Sequence, residues 1–179
     1  MRCFVAIKPS ESVRERIAAL QCELRLSTAD VRWIGAGELH LTLRFLGELG
    51  EETVSRLRRT FSDIGSTVPG FSLTYAGIGE FPRVVWVGGS ADARPLAARI
   101  ESAAEREGLA RDPHGFNPHL TIGRIRSDRG SKALAAAVLL RKELRIGVDP
   151  VTEFSLFKST LTPQGPVYET IETFTLAQA

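Results

Sequence analysis

The sequence predicts an α+β fold of largely antiparallel sheets, each covered by helices on its outer face. Two observations carry this. Short runs of alternating apolar and polar residues, the mark of half-buried strands, are separated by stretches whose apolar residues recur at helical spacing. The tetrapeptide His40-Leu41-Thr42-Leu43 also returns in the second half of the chain as His119-Leu120-Thr121-Ile122. In each copy the histidine and threonine point to one face of a strand and the aliphatic pair to the other. Residues 1–179 are therefore expected to form a single bilobal domain. One motif strand belongs to each lobe, and both line a central cleft.

The elements follow in order. Cys3 to Ile7 is a buried strand, stopped by Pro9-Ser10. Ser12 and Glu15 have capping-box spacing, and Val13, Ile17, Leu20 and Leu24 form the stripe of a helix to about Leu26. Val31 to Ile34 is a short strand, Gly35-Ala36-Gly37 a turn, and the first motif strand runs from about Leu39 to Leu46. Gly47 should close it. A helix from Glu51 to Ile64 presents Val54, Leu57, Phe61 and Ile64, with Arg56, Arg58 and Arg59 on its solvated side.

Phe71 to Ile78 and Arg83 to Val87 read as strands joined by Gly79-Glu80-Phe81-Pro82. A helix from Ala91 to Glu107 ends at Gly108. After a polar loop from Arg111 to Asn117, Pro118 marks the start of the second motif strand. Arg124 to Lys132 is a basic loop and Ala133 to Leu140 a short helix. Val151 to Thr160 and Val167 to Leu176 form a closing hairpin through Leu161-Thr162-Pro163-Gln164-Gly165-Pro166.

Composition narrows the function less than the motif does. Hydrophobic residues at 43% and charged residues at 25% are ordinary for a globular chain. A net charge of +2 neither marks a nucleic-acid binder nor excludes a local basic patch. Two cysteines, Cys3 and Cys22, without metal-type spacing suit a reducing compartment. The first residues are too short for a secretion signal, and no run reaches the roughly 18 apolar residues of a membrane span. A cytoplasmic protein with no membrane association is expected.

Of the three histidines, two occupy matched positions. His114 has no accompanying threonine and reads as an ordinary loop residue. A zinc site needs three or four ligands, yet Thr42 and Thr121 hold the i+2 places and Arg44 stands at i+4 from His40. No metal and no cofactor is expected. Two imidazoles across a groove suit general acid–base catalysis, since an unperturbed pKa near 6.5 lets one be neutral and one protonated. Two hydroxyls beside them suit an anion with several oxygens, such as a phosphodiester. Arg44 shares the face of His40 and Thr42 on a straight strand. Arg124 has the wrong parity relative to His119, unless a bulge at Gly123 swings it toward the anion.

The chain resembles the two-histidine phosphoesterases, specifically the LigT-like RNA 2',3'-cyclic phosphodiesterases, also called 2'-5' RNA ligases. The resemblance rests on Phe4-Val5-Ala6-Ile7, Leu39-His40-Leu41-Thr42-Leu43 with Phe45-Leu46-Gly47-Glu48, and Phe81-Pro82-Arg83-Val84-Val85-Trp86-Val87-Gly88. It continues in Phe116-Asn117-Pro118-His119-Leu120-Thr121 with Arg124, Ser159 and Tyr168. It implies a pseudo-symmetric LigT-like fold and metal-independent opening of a 2',3'-cyclic phosphate to a 2'-phosphate, with reversible 2'-5' ligation as a minor reaction.

By the same resemblance His40 is the expected proton donor and His119 the proton acceptor. Thr42, Thr121 and Arg124 bind substrate. The family pattern does not call for Arg44; that residue rests on parity alone, and Tyr168 joins it as a further substrate-binding candidate. Phe45, Phe81, Trp86 and Tyr168 could stack a base, although Phe45 and Trp86 read better as core. The expected partners are RNA with cyclic phosphate ends or cyclic nucleotides, met by a monomer. Alternatives are another two-histidine reaction (2'-5' linkage cleavage or 3'-end trimming) and a non-catalytic module that binds RNA ends.

Overall fold

A computed structural model of the 179-residue chain describes residues 1–163 and 165–178. Nine strands and four α-helices follow one another as β1 (Arg2–Ile7), α1 (Glu11–Arg25), β2 (Val31–Trp33), β3 (Leu41–Glu48), α2 (Glu51–Thr67), β4 (Phe71–Phe81) and β5 (Val84–Gly89). Then come α3 (Arg94–Arg106), β6 (His119–Ile125), α4 (Ser131–Leu139), β7 (Arg145–Val151), β8 (Glu153–Thr162) and β9 (Gly165–Thr175) among the described residues. No described helix is long and apolar enough to cross a membrane.

The expected α+β class holds, and the two expected sheets are the two arms of one curled antiparallel sheet. Its order is β7-β4-β5-β6-β3-β1-β8-β9, with β2 added to β6. The arms β6-β5-β4-β7 and β3-β1-β8-β9 meet where Leu41 pairs with Leu120, the second residue of each motif. Helices α1 and α4 pack on the first arm, α2 and α3 on the second. The apolar stripes read from the sequence are the buried faces: Val13, Ile17, Leu20 and Leu24 on α1, and Val54, Leu57, Phe61 and Ile64 on α2. Each such side chain contributes about 1.5–3 kcal/mol by leaving water.

Strand β1 shows how the two faces of the sheet differ. Cys3, Val5 and Ile7 join the main core under the helices, while Phe4 and Ala6 face the other way and form a small cluster with Phe157 and Tyr168. The period of two thus sends alternate residues to the helix side and to the cleft side.

Several boundaries differ from expectation: Gly47 does not close β3, which runs on to Glu48, and Val151 ends β7 while the hairpin strand β8 opens at Glu153. Helix α1 starts one residue after Ser10, and Ser10 rather than Ser12 is its cap, accepting from the Val13 N–H at 3.3 Å. Buried Asp149 fixes that choice by accepting from the Ser10 N–H at 2.8 Å and from its hydroxyl at 2.5 Å. Asp149 lies in β7, a strand that the sequence pattern hid because it contains Pro150 and charged residues. Strand β7 is the edge of the sheet and pairs only with β4, so the missing N–H of Pro150 leaves no gap in a ladder. The β4–β5 connection is Pro82-Arg83, since the strands stay paired out to Phe81↔Val84. Arg83 takes a left-handed φ of 69°, the conformation needed at the second central residue of a tight turn that starts with proline. The closing hairpin pairs out to Thr162↔Gly165; its connecting residue Gln164 lies outside the described residues.

Asp149→Ala should lower stability by about 1–3 kcal/mol, because it removes a buried acceptor and takes both of its bonds from the Ser10 N–H and hydroxyl. For a chain of this size, 2 kcal/mol corresponds to a fall in Tm of roughly 4–8 °C. An unchanged Tm would mean that the cap stands on Ser10 alone.

Candidate active site

The concave side of the sheet carries a cleft of about 500 Å³, lined by His40, Thr42, His119, Thr121, Arg124 and Tyr168 together with Arg2, Phe4, Arg32, Glu38, Phe45, Phe81 and Ser159. Six of the seven residues proposed from the sequence are therefore side by side. Arg44 is not among them.

The two histidines are held in the same way. His119 opens β6, and His40 immediately precedes β3. The Nδ1 of His40 lies 2.6 Å from the carbonyl oxygen of Glu38, and the Nδ1 of His119 lies 2.8 Å from that of Asn117. A carbonyl can only accept, so Nδ1 carries the proton in both rings and the neutral tautomer leaves Nε2 bare. Each ring is pinned by the carbonyl two residues earlier, a bond the local chain closes by itself. Aromatic edges complete the seats. Tyr168 meets His40 edge-on at 5.0 Å, with Phe4 at 4.9 Å, and Phe81 meets His119 edge-on at 5.5 Å. Phe81 in turn rests on Trp86, whose ring lies across Gly79, so Trp86 backs the cleft without lining it.

Both motif strands carry a bulge at the same place. In β3, Ala6 pairs with Thr42 but Val5 pairs with Arg44, leaving Leu43 as the extra residue. In β6, Trp86 pairs with Thr121 but Val85 pairs with Gly123, leaving Ile122 as the extra residue. The bulge reverses the alternation, so residues five positions after each histidine face the cleft. That places Arg124 where the parity argument needed it.

The same shift on the other arm brings Phe45 into the cleft at 55% exposure, against the core reading, and turns Arg44 away. Arg44 is 8% exposed on the α3 side. Its Nε lies 2.7 Å from Glu101 in an ion pair too bent for a hydrogen bond, while its other nitrogens donate to the carbonyls of Phe45 and Ala110. Asp112 lies 3.8 Å away. The parity expected of a straight strand fails at Arg44 because β3 carries the same bulge as β6.

The cleft is cationic. Strand β2 pairs with β6 so that Arg32 stands opposite Arg124. Arg2 is the third arginine, and Glu38, at 3.8 Å from Arg32, is the one carboxylate on the described lining. Arg32 was missed by sequence because nothing marks β2 as the neighbour of β6; the arginine itself was the only available signal. Burial pushes the His40 pKa below its ordinary value; the Glu38 carbonyl bond opposes this and the Arg124 charge adds to it. Burial raises the Tyr168 pKa, with Arg124 opposing. Among the described residues no group of three or more His, Cys, Asp or Glu is placed to hold a metal ion.

Such a site, two imidazoles with free Nε2 atoms flanked by hydroxyls and guanidinium groups on a two-armed sheet, has the groups to hold an anion and exchange protons beside it. The comparisons give the class of protein. The family model of the 2'-5' RNA ligase superfamily matches residues 9–160, and the chain belongs to that superfamily.

It is 34% identical to an RNA 2',3'-cyclic phosphodiesterase of Archaeoglobus fulgidus, over 97% of this chain and 99% of that protein. A protein of the same name from Methanothermobacter thermautotrophicus is 31% identical over 98% and 99%. Among solved structures, a Thermus thermophilus protein superposes with a TM-score of 0.86 at 28% identity, covering 99% of both chains. Escherichia coli LigT complexed with 3'-AMP superposes with a TM-score of 0.77 at 29% identity, covering 99% of this chain and 98% of that one.

In ¹⁵N NMR spectra both histidines should show the Nδ1–H tautomer when neutral, and His40 should titrate below 6.5, the ordinary histidine value. An Nε2–H tautomer in either ring would refute the carbonyl pins. Arg44→Met should cost about 2–3 kcal/mol in denaturant unfolding. That is less than a fully buried pair, because Glu101 and Asp112 keep some water.

Proposed function

We propose that the chain is an RNA 2',3'-cyclic phosphodiesterase that opens the cyclic phosphate to a 2'-phosphate, with both arms acting as one catalytic domain. The observation that carries this reading is the matched pair of pinned histidines, each presenting Nε2 to one cationic cleft. A water oxygen forms a bond to phosphorus as the bond to the 3'-oxygen breaks. His119 Nε2 takes the water's proton, and His40 Nε2–H gives one to the departing 3'-oxygen. The two rings then exchange protons with solvent to reset. Thr42, Thr121 and Arg124 donate to the phosphoryl oxygens, where charge grows as five-coordinate phosphorus forms. The scheme draws on no metal and no cofactor.

Burial works against a protonated His40 in the empty cleft. A phosphodiester anion beside the ring works the other way, since an opposite charge within about 4–6 Å favours the charged form. Substrate thus brings with it the protonation its own cleavage needs. Exposed Phe45 and Phe81 at the cleft wall offer faces for a base. Every group in the scheme comes from one chain, so a monomer suffices. Cys3 and Cys22 are free thiols, consistent with a reducing cytoplasm. The reverse reaction, joining a cyclic end to a hydroxyl as 2'-5' ligation, uses the same groups and is minor in water.

Incubation of a short cyclic-ended RNA with excess EDTA should yield a 2'-phosphate end. His40→Ala and His119→Ala should each lower kcat by about 10²–10⁴-fold while keeping the Tm. The kcat/KM profile should be bell-shaped, because the two roles need opposite protonation states. A profile flat from about pH 5 to 8 would sink the two-histidine scheme. Tight binding without turnover would instead mark a module that recognises RNA ends, and another product end a different phosphodiester reaction.

A further inference from the structure

The cleft does not stop at His119. Thr42, Phe45, Phe81 and His119 also line a second, larger groove of about 950 Å³ that runs on between α3 and the loop 111–117. We propose that this groove holds the RNA strand on the 5' side of the cyclic phosphate, so that the enzyme acts on an oligonucleotide end in preference to a cyclic mononucleotide. The inference rests on the phosphodiesterase reading.

Size makes the first argument. The catalytic cleft, at about 500 Å³, is the volume of a pocket for one small ligand, and a longer strand must leave it through a continuous opening. Charge makes the second. Two carboxylates, Glu101 and Asp112, stand in the groove, yet both are already engaged. Glu101 pairs with Arg44 and accepts from the Asp112 N–H at 3.1 Å, and Asp112 accepts from the His114 N–H at 2.9 Å. The cations on the rim have no such commitment. Arg94 makes one long bond to the Phe116 carbonyl at 3.4 Å, and Arg111, 81% exposed, stands 3.7 Å from Glu105 in a solvent-screened pair.

The third argument is the aromatic line. Phe45 and Phe81 line both the cleft and the groove, and half-buried Phe116 lines the groove alone, so aromatic rings and cations share one lining. That combination fits a single strand, whose bases stack on aromatic rings while its phosphates meet arginines. The buried Arg44 offsets part of the charge of the groove's own acids, and with Arg94 and Arg111 the lining carries three arginines against two carboxylates.

The test compares a 2',3'-cyclic mononucleotide with a hexanucleotide carrying the same cyclic end, for the wild type and the double variant R94Q/R111Q. Wild-type kcat/KM should be about tenfold or more higher for the hexanucleotide. Its log–log salt slope should be steeper by about 1.4, from two phosphate contacts at about 0.7 each. The double variant should lose both differences, with mononucleotide kinetics and Tm unchanged. Equal wild-type kcat/KM on both substrates, or an equal loss on both in the variant, would overturn the groove assignment. Wild-type protein inert on both substrates would refute the phosphodiesterase reading instead. In that event, anisotropy of a labelled hexanucleotide with a 2'-phosphate end still decides the groove: weaker binding by R94Q/R111Q supports it, and equal affinity overturns it.

Discussion

The cleft depends on one backbone pairing, Leu41 against Leu120. Those residues are the second positions of the two motifs, so their pairing sets the two strands antiparallel at the midline of the sheet. Both leucines point into the main core, fully buried, and the pleat then sends their neighbours to the concave side. A one-residue slip would turn every histidine and threonine toward the helices. The core thus fixes the register, and the register fixes where the imidazoles stand.

On that frame, local devices do the rest, each made twice. The carbonyl two residues before each histidine selects its tautomer. The bulge three to four residues after it reverses the alternation and adds a fifth-position side chain to the cleft. The two arms diverge at that position, with phenylalanine on one and arginine on the other. A symmetric frame therefore gives an asymmetric site: the Phe45 side is apolar, and the Arg124 side, reinforced by Arg32, is charged. A substrate with one flat base and one anionic phosphate matches such a division.

The arginines illustrate how burial sorts one residue type into different tasks. Arg44 is enclosed and its charge is spent on Glu101, Asp112 and two carbonyls, tying β3 to α3 and to the loop that leads into His119. Arg124 faces the cleft and acts on His40 through space. Arg94 and Arg111 stay at the rim of the second groove. Charge count alone, close to neutral over the chain, conceals this separation.

By itself the sequence determined the repeated motif, the helical stripes, the α+β class and the pair of histidines, because period and residue type are local properties of the chain. It also allowed Arg124 to face the cleft through a bulge beside Gly123, although the extra residue is Ile122. Tertiary structure decided the rest. Strand β7 was hidden because its proline is permitted only by an edge position, which belongs to the sheet and not to the segment. Ser10 displaced Ser12 as the cap because Asp149 arrives from a strand distant in sequence. Phe45 and Arg44 exchanged expected places because a bulge in β3 answers to the pairing with β1, and no glycine announces it. Arg32 joined the site through the pairing of β2 with β6, which the sequence alone does not reveal.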